Sequence, residues 1–341
     1  MGHLERITKV AVTQAEPEWL DLEKAVEKTC RLIVEAATNG AKLITFPECW
    51  IPGYPAWIWY FINPASFKLR NQLTRTNFRT RPVDFELSTI YIKKSLKIDS
   101  PQMARICACA AKNNITVSIG FSENDNNSLY ISQATIRNDG DIIMARRKLK
   151  PTHMERTTFG EASGNCLKNV AEVPGIGRIG ALACWEHAQP LLKYNTILQK
   201  EDLHVAAWPP GFEHDGGLGL WSMSKDGTQN LSQTYAIESQ AFVLHTTAVL
   251  TQKGIDRMNT SAGTLLNTPG GGSSAIFGPD GRKLSTDIPE ATEGIIYADL
   301  HLDDILKCKT FIDVGGHYSR PDMLWLGVYY REKKHSRNRE D

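Results

Sequence analysis

A chain of 341 residues can bury a large core, and a continuous α/β unit of this size is common, so one domain with a short tail is expected. Hydrophobic residues at 41% and charged residues at 23% exclude an extended disordered chain. A net charge of +1 gives no electrostatic reason to expect nucleic acid or acidic lipid as a partner and points to a small, uncharged substrate.

No apolar leader follows Met1, and no run is long enough to span a bilayer, so a cytoplasmic protein is expected. The seven cysteines are an odd number and form no CxxC pair or Cys/His cluster, which predicts free thiols and no metal site.

In chain order, Ile7 to Gln14 reads as a strand. Asp21 to Thr38 follows as a helix with Val26, Cys30, Ile33 and Ala37 on one face, closed by Gly40. Ala41 to Glu48 is a short apolar strand ending on an acid. Residues 67–84 carry Lys68, Arg70, Arg75, Arg79 and Arg81 with weak periodicity, so a surface insertion is expected there. Ser100-Pro101 opens a helix, with Met103, Ile106, Cys107 and Ala110 on one face, and the strand Ile115 to Phe121 follows.

Ser128 to Ile143 alternates around Asn138-Asp139-Gly140, a hairpin signal. Further strands are expected at Arg178 to Trp185, Leu203 to Trp208, Ala241 to Leu250, Gly272 to Phe277 and Gly294 to Leu300. Such alternation, ending in hairpins, predicts a layered α/β sandwich with helices on the outer faces. The last eleven residues, Arg331 to Asp341, are almost entirely charged or polar and read as a frayed tail.

Chemistry is expected at strand ends. Glu48 closes one apolar strand and Cys184 another. A carboxylate in such a place needs a cation nearby, and Lys148, in a basic run, is the evident supply. A cysteine needs a base to become a thiolate, a carboxylate in a dry pocket can serve, and a lysine can stabilise the anion that forms on the substrate.

Three segments occur in order: Phe46-Pro47-Glu48, the Arg147 to Arg156 block (RKLKPTHMER), and Cys184-Trp185-Glu186-His187. They resemble the signatures of the nitrilase branch of the carbon-nitrogen hydrolase superfamily. Supporting phrases include Trp50 to Pro55 (WIPGYP), Ala206 to Pro209 (AAWP) and Asp313 to Asp322 (DVGGHYSRPD). The resemblance runs from about residue 7 to about residue 328, defining a single domain over 1–328 and a tail over 329–341.

The resemblance implies a four-layer αββα sandwich. It implies Glu48 as general base, Lys148 as electrostatic stabiliser, Cys184 as nucleophile and Glu155 as a second carboxylate positioning lysine or substrate. It also implies dimers and, in many nitrilases, spiral filaments built through C-terminal interactions. The gap of 100 residues between Glu48 and Lys148 is longer than the family pattern, and the basic stretch at 67–84 supplies the surplus.

The reaction so implied is hydrolysis of a small organic nitrile by water to an acid and ammonia, with some amide as by-product. It proceeds through covalent cysteine intermediates that need neither metal nor organic cofactor. His187, three residues after Cys184, is poorly placed as a base; similar enzymes that hydrate cyanide to formamide tend to carry Asn after Cys-Trp-Glu, so the resemblance implies acid formation. Tyr54, Trp57, Trp59, Trp185, Glu186, His187 and Trp208 are expected to line the pocket. The alternatives are a cyanide hydratase or amidase of the same superfamily and, more remotely, a non-catalytic scaffold.

Overall fold

The computed structural model describes residues 6–59, 84–217, 219–263, 265–334 and 336. Strand β1 (Ile7–Ala15) leads into helix α1 (Leu22–Thr38), β2 (Leu43–Thr45), α2 (Phe85–Lys94), α3 (Pro101–Lys112), β3 (Thr116–Asp125), β4 (Ser128–Ile136) and β5 (Ile142–Arg147). The second half runs β6 (Val170–Val173), β7 (Gly177–Ala183), α4 (Pro190–Leu198), β8 (Leu203–Ala207), α5 (Lys225–Ser239), β9 (Phe242–Ala248), α6 (Gln252–Met258), β10 (Ala275–Phe277), β11 (Gly294–His301) and α7 (Asp303–Phe311).

Caps fix the helix starts. The Asp21 carboxylate accepts from the Lys24 N–H, and the Ser100 hydroxyl accepts from the Met103 N–H ahead of Pro101.

The strands lie along one hydrogen-bonded path, β5-β4-β3-β2-β1-β9-β8-β7-β6, with β10 added to β9 and β11 to β1. The join between β1 and β9 is only two residue pairs, Gln14 with Thr247 and Ala15 with Ala248. The path therefore bends there into two leaves. Within each leaf the central strands are parallel and the outer ones antiparallel.

Period-2 alternation sorts the side chains into layers. Ala11, Ile44, Val117 and Ile119 pack under Val26 and Ile33 of α1 and Met103 and Ile106 of α3. Their neighbours Val10, Val12 and Leu43 meet Ile179, Val205 and Leu244 of the second leaf. On that leaf's far side, Leu182, Ala206 and Val243 pack against Leu192, Ile197, Tyr235 and Ala236 of α4 and α5. The order is helix, sheet, sheet, helix, as expected from the sequence.

Several elements escape a reading by periodicity. Strand β6 and helices α2, α4, α5, α6 and α7 are absent from it, and α5 shows why: part of its buried side is Gly227, Thr228, Ser232 and Ser239 rather than an apolar stripe. The expected insertion at 67–84 lies outside the described residues except for Asp84, whose carboxylate caps α2 by accepting the Leu87 N–H. Beyond α7 the segment read as a frayed tail has partners as far as Lys333. Gly164 N–H donates to the Arg331 carbonyl and Lys333 pairs with Glu161, while just before that segment the Tyr330 hydroxyl donates to Asn195 Oδ1. Among the described residues no helix is long and apolar enough to cross a membrane.

Candidate active site

Four chain segments bring their polar ends to one place. After β2 the chain turns through Phe46 and Pro47 so that Glu48 sits over β3. Gly120 permits this approach, since a Cβ there would collide with the Pro47 carbonyl oxygen and lie 3.1 Å from Glu48 Cα. The Glu48 N–H is directed at the Trp208 carbonyl, just past β8. Lys148 lies one residue beyond β5, its N–H bonded to the Ile131 carbonyl. Glu155 rides on a 3-10 turn, His153–Thr157.

Cys184 follows β7 directly and opens another 3-10 turn, Cys184–Ala188, with φ at 52°. A cysteine in the left-handed region is strained, and such strain at a strand-to-helix turn holds a side chain out from the sheet edge.

The side chains converge. Lys148 Nζ donates to Glu48 Oε1 at 2.9 Å and to Glu155 Oε2 at 2.8 Å. One carboxylate oxygen from each of Glu48 and Glu155 and the Cys184 sulfur lie within 4.8 Å of one another. All four residues are buried. The ammonium occupies the position a cation would take between the two acids. Glu155 is fixed further by the Tyr54 hydroxyl at 2.8 Å and the Thr152 N–H at 2.6 Å. Glu48 Oε2 is buried with no partner among the described residues, which leaves one oxygen able to accept a proton.

Burial sets the proton affinities. It pushes the Glu48 carboxyl up to about 8, against the downward pull of Lys148, with Glu155 adding to the rise. Burial and the nearby Glu48 raise the Cys184 thiol well above its ordinary value, while Lys148 and the Trp185 N–H act in the opposite direction. For Lys148 burial works downward, but the charges of Glu155 and Glu48 outweigh it and keep the ammonium protonated. A thiol and a carboxylate both held toward their neutral forms, beside a fixed cation, form a pair between which one proton can move.

Residues 9–310 match the family model described as carbon-nitrogen hydrolase. The chain belongs to the carbon-nitrogen hydrolase family. It is 62% identical to an arylacetonitrilase of Aspergillus niger, over 97% of this chain and 94% of that one. It is 61% identical to an arylacetonitrilase of Aspergillus kawachii, over 96% and 94%. Among solved structures it is similar to a carbon-nitrogen hydrolase of Helicobacter pylori G27, with a TM-score of 0.65 and 16% identity over 91% of this chain and 94% of that one. An amidase from Nesterenkonia sp. AN1 gives a TM-score of 0.61 at 15% identity, over 90% and 94%. These two likenesses confirm the carbon-nitrogen hydrolase fold.

Around the four central residues the expected pocket aromatics take different places. Trp59 donates its Nε1–H to the Tyr54 hydroxyl and stacks on His153. Trp185 is half-buried and, with Glu186, borders a cavity of about 670 Å³ whose other walls include Leu149, Leu192 and the 326–329 segment. Trp57 instead packs edge-on against Tyr91 in a buried cluster. Trp208 is buried beside Cys184, its indole N–H reaching Ser232 Oγ at 3.2 Å.

Glu186 is buried and fully engaged. It accepts two 2.7 Å bonds from Arg146 and takes the N–H groups of Ala183 and Leu149. That arrangement ties the Cys184 turn to the end of β5. Arg146 was missed by sequence reasoning, although its parity with Met144 along β5 puts it on the inward face. His187 bonds to the Cys184 carbonyl rather than to its sulfur.

Proposed function

We propose that the chain is a nitrilase that converts an arylacetonitrile, with two waters, to the arylacetic acid and ammonia. The observation that carries this reading is the buried cluster in which Lys148 bridges Glu48 and Glu155 beside the Cys184 sulfur. The arylacetonitrilase names of its relatives, 52% to 62% identical over nearly the whole chain, support the substrate class.

In this reading Glu48 takes the thiol proton as Cys184 Sγ bonds to the nitrile carbon, and returns it to the nitrogen, giving a thioimidate. Glu48 then removes a proton from a water whose oxygen adds to the same carbon. Lys148, held by Glu155, stabilises the charge on the tetrahedral centre. Protonated nitrogen leaves as ammonia, and a thioester remains. A second water, deprotonated by Glu48, adds to it; the C–S bond breaks, the acid departs and the sulfur recovers its proton. Loss of sulfur from the first tetrahedral centre would release the amide instead.

The test is ammonia release from phenylacetonitrile and phenylacetamide, together with formamide formation from cyanide, by the wild type and Cys184→Ala. Turnover of phenylacetonitrile that vanishes in the variant is expected. Turnover of cyanide or amide alone would replace the reading with hydratase or amidase.

Self-association belongs to the same proposal. Met323, Leu324 and Trp325 form an exposed apolar run that a second copy could cover, first as a dimer and then as a filament. The seven unpaired thiols fit a reducing, cytoplasmic setting.

A further inference from the structure

From the Cys184 carbonyl runs a row of buried polar groups that the reaction above does not use. His187 Nδ1 is 2.7 Å from the Cys184 carbonyl oxygen, and His187 Nε2 is 3.0 Å from His204 Nε2. His204 Nδ1 is 2.7 Å from Glu201 Oε2, and the Tyr235 hydroxyl donates to Glu201 Oε1. All four side chains are buried, and they come from the Cys184 turn, β8, the residue two before β8, and α5.

Donor and acceptor logic fixes the direction of the row. A carbonyl oxygen only accepts, so His187 carries its proton on Nδ1. Burial, reinforced by His204, holds the His187 ring neutral, so its Nε2 is bare and accepts the His204 Nε2–H. The remaining proton lies between His204 Nδ1 and Glu201, whichever of the two groups holds it. The Tyr235, His204 Nε2 and His187 Nδ1 hydrogens then all point toward Cys184. Bonds aligned head to tail polarise one another.

Two further observations fit a built device. A Cβ at Gly180, in the middle of β7, would collide with Glu201 Oε2, so a glycine is kept in a central strand to let that carboxylate through. The peptide at the end of the row is the one whose N–H, on Trp185, faces the Cys184 sulfur. Drawing electron density onto its carbonyl strengthens that N–H as a donor, and it also anchors the strained Cys184 backbone.

We propose that Tyr235, Glu201, His204 and His187 form a directed hydrogen-bond relay that holds and polarises the Cys184–Trp185 peptide, making His187 a positioning residue for the nucleophile. It rests on the assignment of Cys184 as nucleophile. The experiment therefore includes a readout that needs no nitrile: alkylation of Cys184 by iodoacetamide across pH, followed by mass spectrometry of its peptide, alongside single-turnover acylation by phenylacetonitrile.

Glu201→Leu breaks the relay. Glu201→Gln keeps it, because the amide can accept from Tyr235 and donate to His204 Nδ1. Glu48, Glu155, Lys148 and Tyr54 face the thiol in each variant, and His204, His245 and Lys193 act on His187. Only the Glu201 substitution changes.

With Glu201→Leu, acylation and alkylation should each slow by about tenfold, the alkylation profile moving to higher pH and KM changing little. Glu201→Gln should recover most of both rates. Tyr235→Phe, which loses a single oxygen, should show a smaller slowing and carries the comparison if Glu201→Leu does not fold. Wild-type alkylation and acylation in folded Glu201→Leu or Tyr235→Phe, or a Glu201→Gln as slow as Glu201→Leu, would overturn the relay. Altered alkylation without any nitrile turnover would uphold it and sink the substrate assignment.

Discussion

A carboxylate that ionises only near pH 8 must lose its proton before it can accept one from Cys184. Activity is therefore expected to fall as pH drops below about 8, measured as kcat/KM against pH, and Glu48→Gln should be inactive at every pH. Stability moves the other way. The folded Glu48 value, raised from an ordinary 4.5, means that its contribution is fully present below the unfolded value and is lost as pH rises through the folded one. Tm should decline between about pH 4.5 and 8, and Glu48→Gln should lack that part of the decline. Lys148→Gln leaves two buried acids without their shared cation and should cost on the order of 3–5 kcal/mol in denaturant titrations, with activity lost. At this scale the sequence was informative: Glu48 and Cys184 each follow an apolar run, Lys148 is the cation such a carboxylate calls for, and Glu155 follows by resemblance. The burial of Arg146 was legible in its parity with Met144, but its partner Glu186 lies on the other leaf, and Glu201 meets His204 and Tyr235 only through the folding of the second leaf, contacts that no local pattern records.

At the level of elements, the close approach of the Glu48 loop to β3 makes Gly120 a functional position. Gly120→Ala should push the loop off the strand, lowering kcat by more than about tenfold while costing about 1–3 kcal/mol, read by kinetics and thermal melts. Ser100→Ala, which removes only the cap of α3, should cost about 1 kcal/mol and leave kcat unchanged. The contrast separates stability from placement. Elements with a clean apolar period, such as α1 with Val26 and Ile33 and the β4–β5 hairpin, are readable from sequence alone. Helix α5 is not, because Ser232 is buried as a partner of Trp208 and His245 rather than as an apolar contact. Strand β2 shortens to three residues because Phe46 bonds to Ser118 while the chain is already turning toward Glu48.

Over the whole molecule, the proposed self-association through the exposed run Met323 to Trp325 predicts that Leu324→Ser with Trp325→Ser reduces the particle mass seen by light scattering, and an unchanged mass would count against it. The layered architecture was legible because strands and helices alternate. The seam between leaves was not, since two residue pairs carry no distinct sequence signal. That seam also imposes an order of assembly. Strand β1 pairs with β2 and also with β9 and β11, which lie more than 200 residues later in the chain. Glu48 and Lys148 belong to the early leaf and Cys184 to the late one, whose inner strand β9 must be complete before it docks. Contacts so distant along the chain form slowly. A growing polypeptide thus carries its base and its nucleophile on separate leaves until β9 has emerged, and the reactive centre closes only when the two leaves dock.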